Sequence, residues 1–81
     1  MSAELEKVIV DALREMHFDT SSISPETPLG DGGLELESLS IAELVMQLDG
    51  QGVEFTDEEM ETLPGLTFGE FVNEAARRAA G

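Results

Sequence analysis

Few side chains in this sequence are suited to making or breaking a covalent bond, and Ser38 is the best placed of them. It stands where a glycine-rich stretch gives way to the apolar-periodic run Ser38-Leu39-Ser40-Ile41-Ala42-Glu43-Leu44-Val45-Met46-Gln47-Leu48. At a helix start the backbone N–H groups lack intrahelical partners and the dipole favours negative charge, so a phosphodiester on this hydroxyl is electrostatically welcome. Serine is also among the best helix N-caps, and that ordinary role accounts for most serines so placed. Catalysis by Ser38 itself needs a base within hydrogen-bond reach. The one histidine, His17, stands at the far end of the intervening loop. Closing a helical segment, it suits a C-terminal charge or a surface position. Cysteine is absent, which removes thiol nucleophiles, disulfides and cysteine-based zinc sites. The stretch from Asp19 to Gly30 lacks the alternating acids of a calcium loop and is interrupted by proline. The run Asp57-Glu58-Glu59 is explained by helix-start electrostatics.

The elements that must position Ser38 are helical, and nothing alternates as strand. A first helix is predicted from Ala3 to His17 with Ser2 as its cap, burying Leu5, Val8, Ile9, Ala12, Leu13 and Met16. Residues 18–36 read as a long loop. Pro25 and Pro28 turn their preceding residues away from helix, and Gly30, Gly32 and Gly33 keep the stretch up to Leu36 irregular. Loops this long are uncommon in compact domains and are usually functional or disordered, and Ile23, Leu29, Leu34 and Leu36 are spaced to pin this one to the core. The second helix runs from Ser38 to about Asp49, stopped by Gly50-Gln51-Gly52. Thr56 with Glu59, and Thr67 with Glu70, form capping boxes that open a short third helix and a last one. The last helix is predicted to turn Phe68, Phe71, Val72, Ala75, Ala76 and Ala79 inward, with Arg77 and Arg78 at the negative end of its dipole. The expectation is one all-α domain over residues 1–81: three main helices, one short helix and a long first loop.

Charge and size narrow the function further. Eighteen acids against four bases give a net charge of −14, which disfavours nucleic acid and anionic membranes and favours partners with basic docking patches. A chain of 81 residues buries only about 60–65% of its unfolded surface, leaving little room for an enclosed active site. The first residues show no basic, continuously apolar leader, and no apolar run approaches a membrane span, so a soluble cytoplasmic protein is expected.

The second helix carries more apolar surface than a core stripe requires. Ile41, Leu44, Val45 and Leu48 fall in one arc at 100° per residue. Leu39, Ala42 and Met46 lie on nearly the opposite side, beside Glu43. With so few long helices to cover it, this second set is expected at the surface, as a soft apolar centre within an acidic rim.

The segment Glu37-Ser38-Leu39-Ser40-Ile41-Ala42-Glu43-Leu44-Val45-Met46-Gln47-Leu48 closely resembles the region around the modified serine of acyl carrier proteins, whose usual core is Asp-Ser-Leu followed by a helix reading much like Val-Glu-Leu-Val-Met. The resemblance extends to Val53-Glu54-Phe55-Thr56-Asp57-Glu58-Glu59 and to the order of helices along essentially the whole chain. It implies an acyl-carrier-like four-helix bundle whose Ser38 receives 4′-phosphopantetheine from coenzyme A through a separate phosphopantetheinyl transferase. The arm's thiol would hold acyl or polyketide intermediates as thioesters for acyl transferases, ketosynthases and similar enzymes. A carrier of this kind is expected to be monomeric and is not itself an enzyme, which accounts for a serine with no base beside it. The family positions imply partner contacts at Glu37, Leu39, Ala42, Glu43 and Met46, with others at Phe55 and Glu59. Two residues depart from the family pattern. Glu37 replaces the usual aspartate, and Glu35 stands where a glycine is usual, the glycines falling earlier at Gly32 and Gly33. The latter looks more like stand-alone carriers of specialised pathways than like the main fatty-acid carriers.

Three alternatives stand beside this reading. A peptidyl or aminoacyl carrier would share the chemistry, although many such carriers have histidine where Glu37 stands. An unmodified acidic interaction protein would need the charge but not the serine. A hydrolase using Ser38 would need His17 as its base.

Overall fold

A computed structural model describes residues 3–80. The first helix, α1, spans Ala3–Glu15, α2 spans Ser38–Asp49, α3 spans Asp57–Thr62 and α4 spans Phe68–Ala80, with a 3-10 turn over Leu63–Gly65 between the last two. No strand occurs among the described residues; one isolated bridge joins Pro28 to Thr67. The fold is all-α, as the periodicity predicts. The expected cap of α1, Ser2, lies outside the described residues.

Three helices supply most of the core. α1 packs against both α2 and α4, burying Leu5, Ile9, Ala12 and Leu13 against Ile41, Leu44 and Leu48 of α2 and Phe68, Phe71, Val72 and Ala75 of α4. Val8, Met16 and Val45 lean on this core from half-buried positions. Each fully buried side chain of this size contributes roughly 1.5–3 kcal/mol by leaving water. Ala79 departs from expectation: it is exposed. Among the described residues, none beyond Ala75 on α4 belongs to the buried core, so the last turn runs past the interior that its periodicity would have faced.

The ends of α1 and α2 share one device. His17 takes φ 71°; its N–H donates to the Arg14 carbonyl at 3.0 Å, and the Phe18 N–H reaches back to the Leu13 carbonyl at 3.0 Å. This is the Schellman closure, with the left-handed residue after the helix. It stops α1 two residues before the predicted end at His17. At α2, Gly52 takes φ 81°, its N–H donates to the Asp49 carbonyl at 3.1 Å and the Val53 N–H to the Leu48 carbonyl at 3.4 Å. Glycine suits that position; histidine does not.

The long loop is held more firmly than its apolar residues alone suggest. Leu29 and Leu36 are buried, and Ile23 and Leu34 pack half-buried on the core. Backbone hydrogen bonds then stitch the loop to the start of α4: Leu29 N–H to Leu66 O at 2.9 Å, Phe68 N–H to Thr27 O at 2.7 Å, and Gly69 N–H to Pro25 O at 2.9 Å. The loop also folds on itself, with Leu34 N–H donating to Pro28 O and Leu36 N–H to Leu29 O, both at 2.9 Å. At Gly33 a Cβ would overlap the Pro28 carbonyl oxygen, so only glycine allows this approach. The stitched frame ends at Leu36, immediately before Glu37 and Ser38.

Candidate functional site

Ser38 is the first residue of α2 and is exposed. Glu37, not Ser38, occupies the N-cap, with extended backbone (φ −92°, ψ 171°) and no side-chain cap hydrogen bond. The Ser38 hydroxyl therefore does not perform the capping role that its residue type suggests. Among the described residues no hydrogen bond engages Ser38 Oγ, and none joins it to His17, which lies exposed beyond α1.

The starts of the later helices differ. Thr56 Oγ1 accepts from Glu59 N–H at 3.1 Å while Thr56 N–H donates to Glu59 Oε1 at 2.8 Å. Thr67 and Glu70 reciprocate likewise, at 3.2 and 2.9 Å. Both predicted capping boxes are present. The first helical hydrogen bond of α2 runs from Ile41 N–H to Glu37 O, leaving the N–H groups of Ser38, Leu39 and Ser40 without helical acceptors. An anionic oxygen carried on Ser38 would lie beside these donors.

The two faces of α2 divide as expected at its extremes. Ile41, Leu44 and Leu48 are buried, while Leu39 and Met46 are each 73% exposed. Glu43 is exposed beside them, and Ala42 is half-buried, its small side chain partly covered. Around this face the charge is of one sign. Lys7 and Arg14 pair with Asp11 on α1, and Arg77 with Glu74 on α4. Arg78 pairs with Glu74 and Glu59. Among the described residues, Glu35, Glu37 and Glu43 take part in no ion pair, so the surface around Ser38 keeps its carboxylate field.

Ser38 also borders a cleft of about 400 Å³ lined by Ile41 from α2, Asp57, Met60 and Glu61 from α3, and Pro64 from the 3-10 turn. Its floor is apolar and its rim is acidic at Asp57 and Glu61. Those carboxylates oppose a further negative charge at Ser38, an effect that added salt weakens. Glu35, at φ 55°, occupies the left-handed region where a non-glycine residue costs about 1–2 kcal/mol. That conformation gives a physical reason for a glycine at this point of the loop.

Phe55 and Glu59, expected to meet partners, are tied into the molecule itself. Phe55 is half-buried and stacks on Phe71, ring centroids 5.9 Å apart and planes at 23°. The Arg78 guanidinium lies over the same ring, 4.4 Å from its centroid, and grips Glu59 through two bonds, Nη2 to Oε2 at 2.7 Å and Nη1 to Oε1 at 3.2 Å. It also donates to the Glu54 carbonyl at 3.1 Å. The Arg78 bond, joined by the Thr56 N–H, holds the Glu59 carboxyl down at about 2. Glu59 in turn raises Arg78 above its usual value. Glu74 is lowered chiefly by Arg77, and Asp19 by the Ser21 hydroxyl and N–H.

The cluster around Arg78 does not show in the sequence, where both arginines of the last turn suit the helix dipole equally well. The recoverable signal is the aromatic Phe55 four residues before the capping Glu59, a pair that a distant cation can cover at once. Among the described residues no group of three or more acids and histidines is placed to hold a metal ion, and no helix is long and apolar enough to cross a membrane. No family model matches the chain, and no curated protein or solved structure matches it significantly.

Proposed function

We propose that this protein is a discrete carrier whose Ser38 bears a 4′-phosphopantetheine arm, acyl or polyketide intermediates being held on its thiol as thioesters. The observation that carries the reading is the combination at the start of α2. An exposed hydroxyl with no intramolecular bond stands on an uncapped helix N-terminus, on the same helix as exposed Leu39 and Met46. The resemblance of residues 37–48 to the carrier segment adds support, and the all-α order of elements is compatible with it.

In the loading step the Ser38 oxygen attacks the phosphorus of coenzyme A that bears the pantetheine. The new P–O bond to serine forms as the pyrophosphate P–O bond breaks. Adenosine 3′,5′-bisphosphate leaves, and the serine proton passes to a base of the phosphopantetheinyl transferase. This chain's share is to present the hydroxyl at the end of a fixed loop and to offer the first-turn N–H groups to the resulting phosphodiester. The arm then supplies a thiol that a cysteine-free chain lacks.

Leu39, Met46, Glu37 and Glu43 give partner enzymes an apolar centre with an acidic surround. The unpaired carboxylates steer basic docking patches toward it, raising encounter rates in a salt-dependent way. The test is to incubate the protein with coenzyme A and a permissive transferase and to weigh it intact. One phosphopantetheinyl group is expected on the wild type and none on Ser38→Ala. An unchanged mass would count against the carrier reading and in favour of an unmodified acidic interaction protein.

A further inference from the structure

The wall of the Ser38 cleft formed by α3 is weakly rooted. None of its residues, Asp57–Thr62, is buried. Val53 before it and Leu63 after it are fully or nearly fully buried, so the segment is anchored at both ends. Between those anchors Met60 leans half-buried on the core. α3 also packs against α2, and Phe55 ahead of it stacks on Phe71. A further fastening comes from the last turn of α4. Arg78 reaches across to the Glu54 carbonyl, covers the Phe55 ring and takes the Glu59 carboxylate in a two-point grip. Glu74, one helical turn back on α4, braces the guanidinium at 3.3 Å.

Glu59 thus serves two helices at once. Its Oε1 closes the capping box on Thr56, fixing where α3 begins, while both oxygens meet Arg78, fixing where α3 lies against α4. The next residue, Met60, lines the cleft together with Asp57, Glu61 and Ser38. A displacement of Glu59 therefore moves the cleft wall directly.

We infer that Arg78 is a positioning residue for the Ser38 site: from the last turn of α4 it latches α3 in place and so sets how far the cleft beside Ser38 opens. The consequence for a group carried on Ser38 rests on the carrier reading; the latch itself does not. The bridge is partly exposed, with side chains 26% and 38% accessible at Arg78 and Glu59, so it can be weakened without burying an unpaired charge. This distinguishes it from a fully buried pair, whose rupture strands an uncompensated charge and strongly destabilises the fold.

The test uses the chain's lack of cysteine. Ser38→Cys with Glu61→Cys places two spin labels across the cleft, and pulsed dipolar spectroscopy reads the distance between them without transferase or coenzyme A. Added Arg78→Met, which keeps an unbranched apolar side chain but no charge, is expected to lengthen the mean distance and broaden its distribution. Arg78→Lys is expected to restore a narrower one. Glu59→Gln retains an oxygen for the capping box and is expected to behave as Arg78→Met does. In the unlabelled proteins, hydrogen exchange at the Met60 amide, bonded to Thr56 O at 2.9 Å, should quicken at least tenfold while α1 amides keep their protection. An unchanged distance distribution in both Arg78→Met and Glu59→Gln would overturn the latch. So would exchange that quickens equally in α1 and α3, which marks general destabilisation. If Arg78→Met fails to fold, Glu59→Gln and Arg78→Lys decide by the same readouts.

Discussion

Replacing His17 by glycine should stabilise the protein, although it deletes a whole side chain. His17 sits at φ 71° in the closing turn of α1, exposed and with no side-chain hydrogen bond among the described residues. A Cβ in that region costs about 1–2 kcal/mol. Glycine removes this strain but gives the unfolded chain extra freedom, worth about 0.4–1 kcal/mol in the opposite direction. The balance favours His17→Gly by roughly 0.5–1 kcal/mol, which in a domain of this size raises the melting temperature by about 2–8 °C. The equivalent turn after α2 already has Gly52 at φ 81° and provides the reverse experiment. Gly52→Ala should lose about 1 kcal/mol. Thermal unfolding followed by circular dichroism measures all three proteins, with His17→Ala as a control that keeps the Cβ and should gain nothing. A lower melting temperature for His17→Gly, or equal shifts for His17→Gly and His17→Ala, would refute the assignment of left-handed strain to this residue.

Other outcomes are expected from the same structure. Thr56→Ala removes an acceptor for the Glu59 N–H and should cost about 1 kcal/mol in denaturant unfolding. Gly33→Ala forces a Cβ into the Pro28 carbonyl and should cost roughly 1–3 kcal/mol by the same measurement, because the stitched loop must shift. Leu39→Ser and Met46→Ser, at side chains 73% exposed, should leave stability within about 0.5 kcal/mol while slowing loading by the transferase; a large loss of stability would show that these side chains are not solvent-facing. The Glu59 carboxyl lies at about 2 against an ordinary 4.5. Its folded value is the lower one, so the stability it adds is present in full above 4.5 and fades as pH falls toward 2. The stability gap between wild type and Glu59→Gln should therefore be constant near neutrality and close across that acid range. A gap that persists at pH 2 would contradict the ion pair as its source.

Local features are the legible ones. Thr56 with Glu59 and Thr67 with Glu70 are three residues apart, and their capping boxes depend on little beyond that spacing. The opposed placement of Leu44 and Met46 on α2 follows from helical geometry alone, as does the exposure of Leu39. Features that depend on distant chain are not legible. Arg78 meets Glu59 and Phe55 because the 3-10 turn and α4 bring them together, and nothing near Arg78 in sequence favours it over Arg77. Ala79 carries the right periodicity for burial, but periodicity does not say where the core ends. His17 misleads for a related reason. The Schellman closure normally announces itself with glycine, and here the His17 backbone angle and the two backbone bonds that close the turn reveal it. Ser38 is legible as the start of α2. That Glu37 takes the cap position, leaving the Ser38 hydroxyl unengaged, depends on backbone angles that residue type does not dictate.

Whether Ser38 carries an arm is best decided on protein recovered from its own cell, by intact mass followed by fragmentation to locate any modification. The expected result is a population bearing one phosphopantetheinyl group on Ser38, part of it heavier by a thioester-bound acyl unit. Protein found wholly at its unmodified mass, or modified only at another residue, would contradict the carrier function.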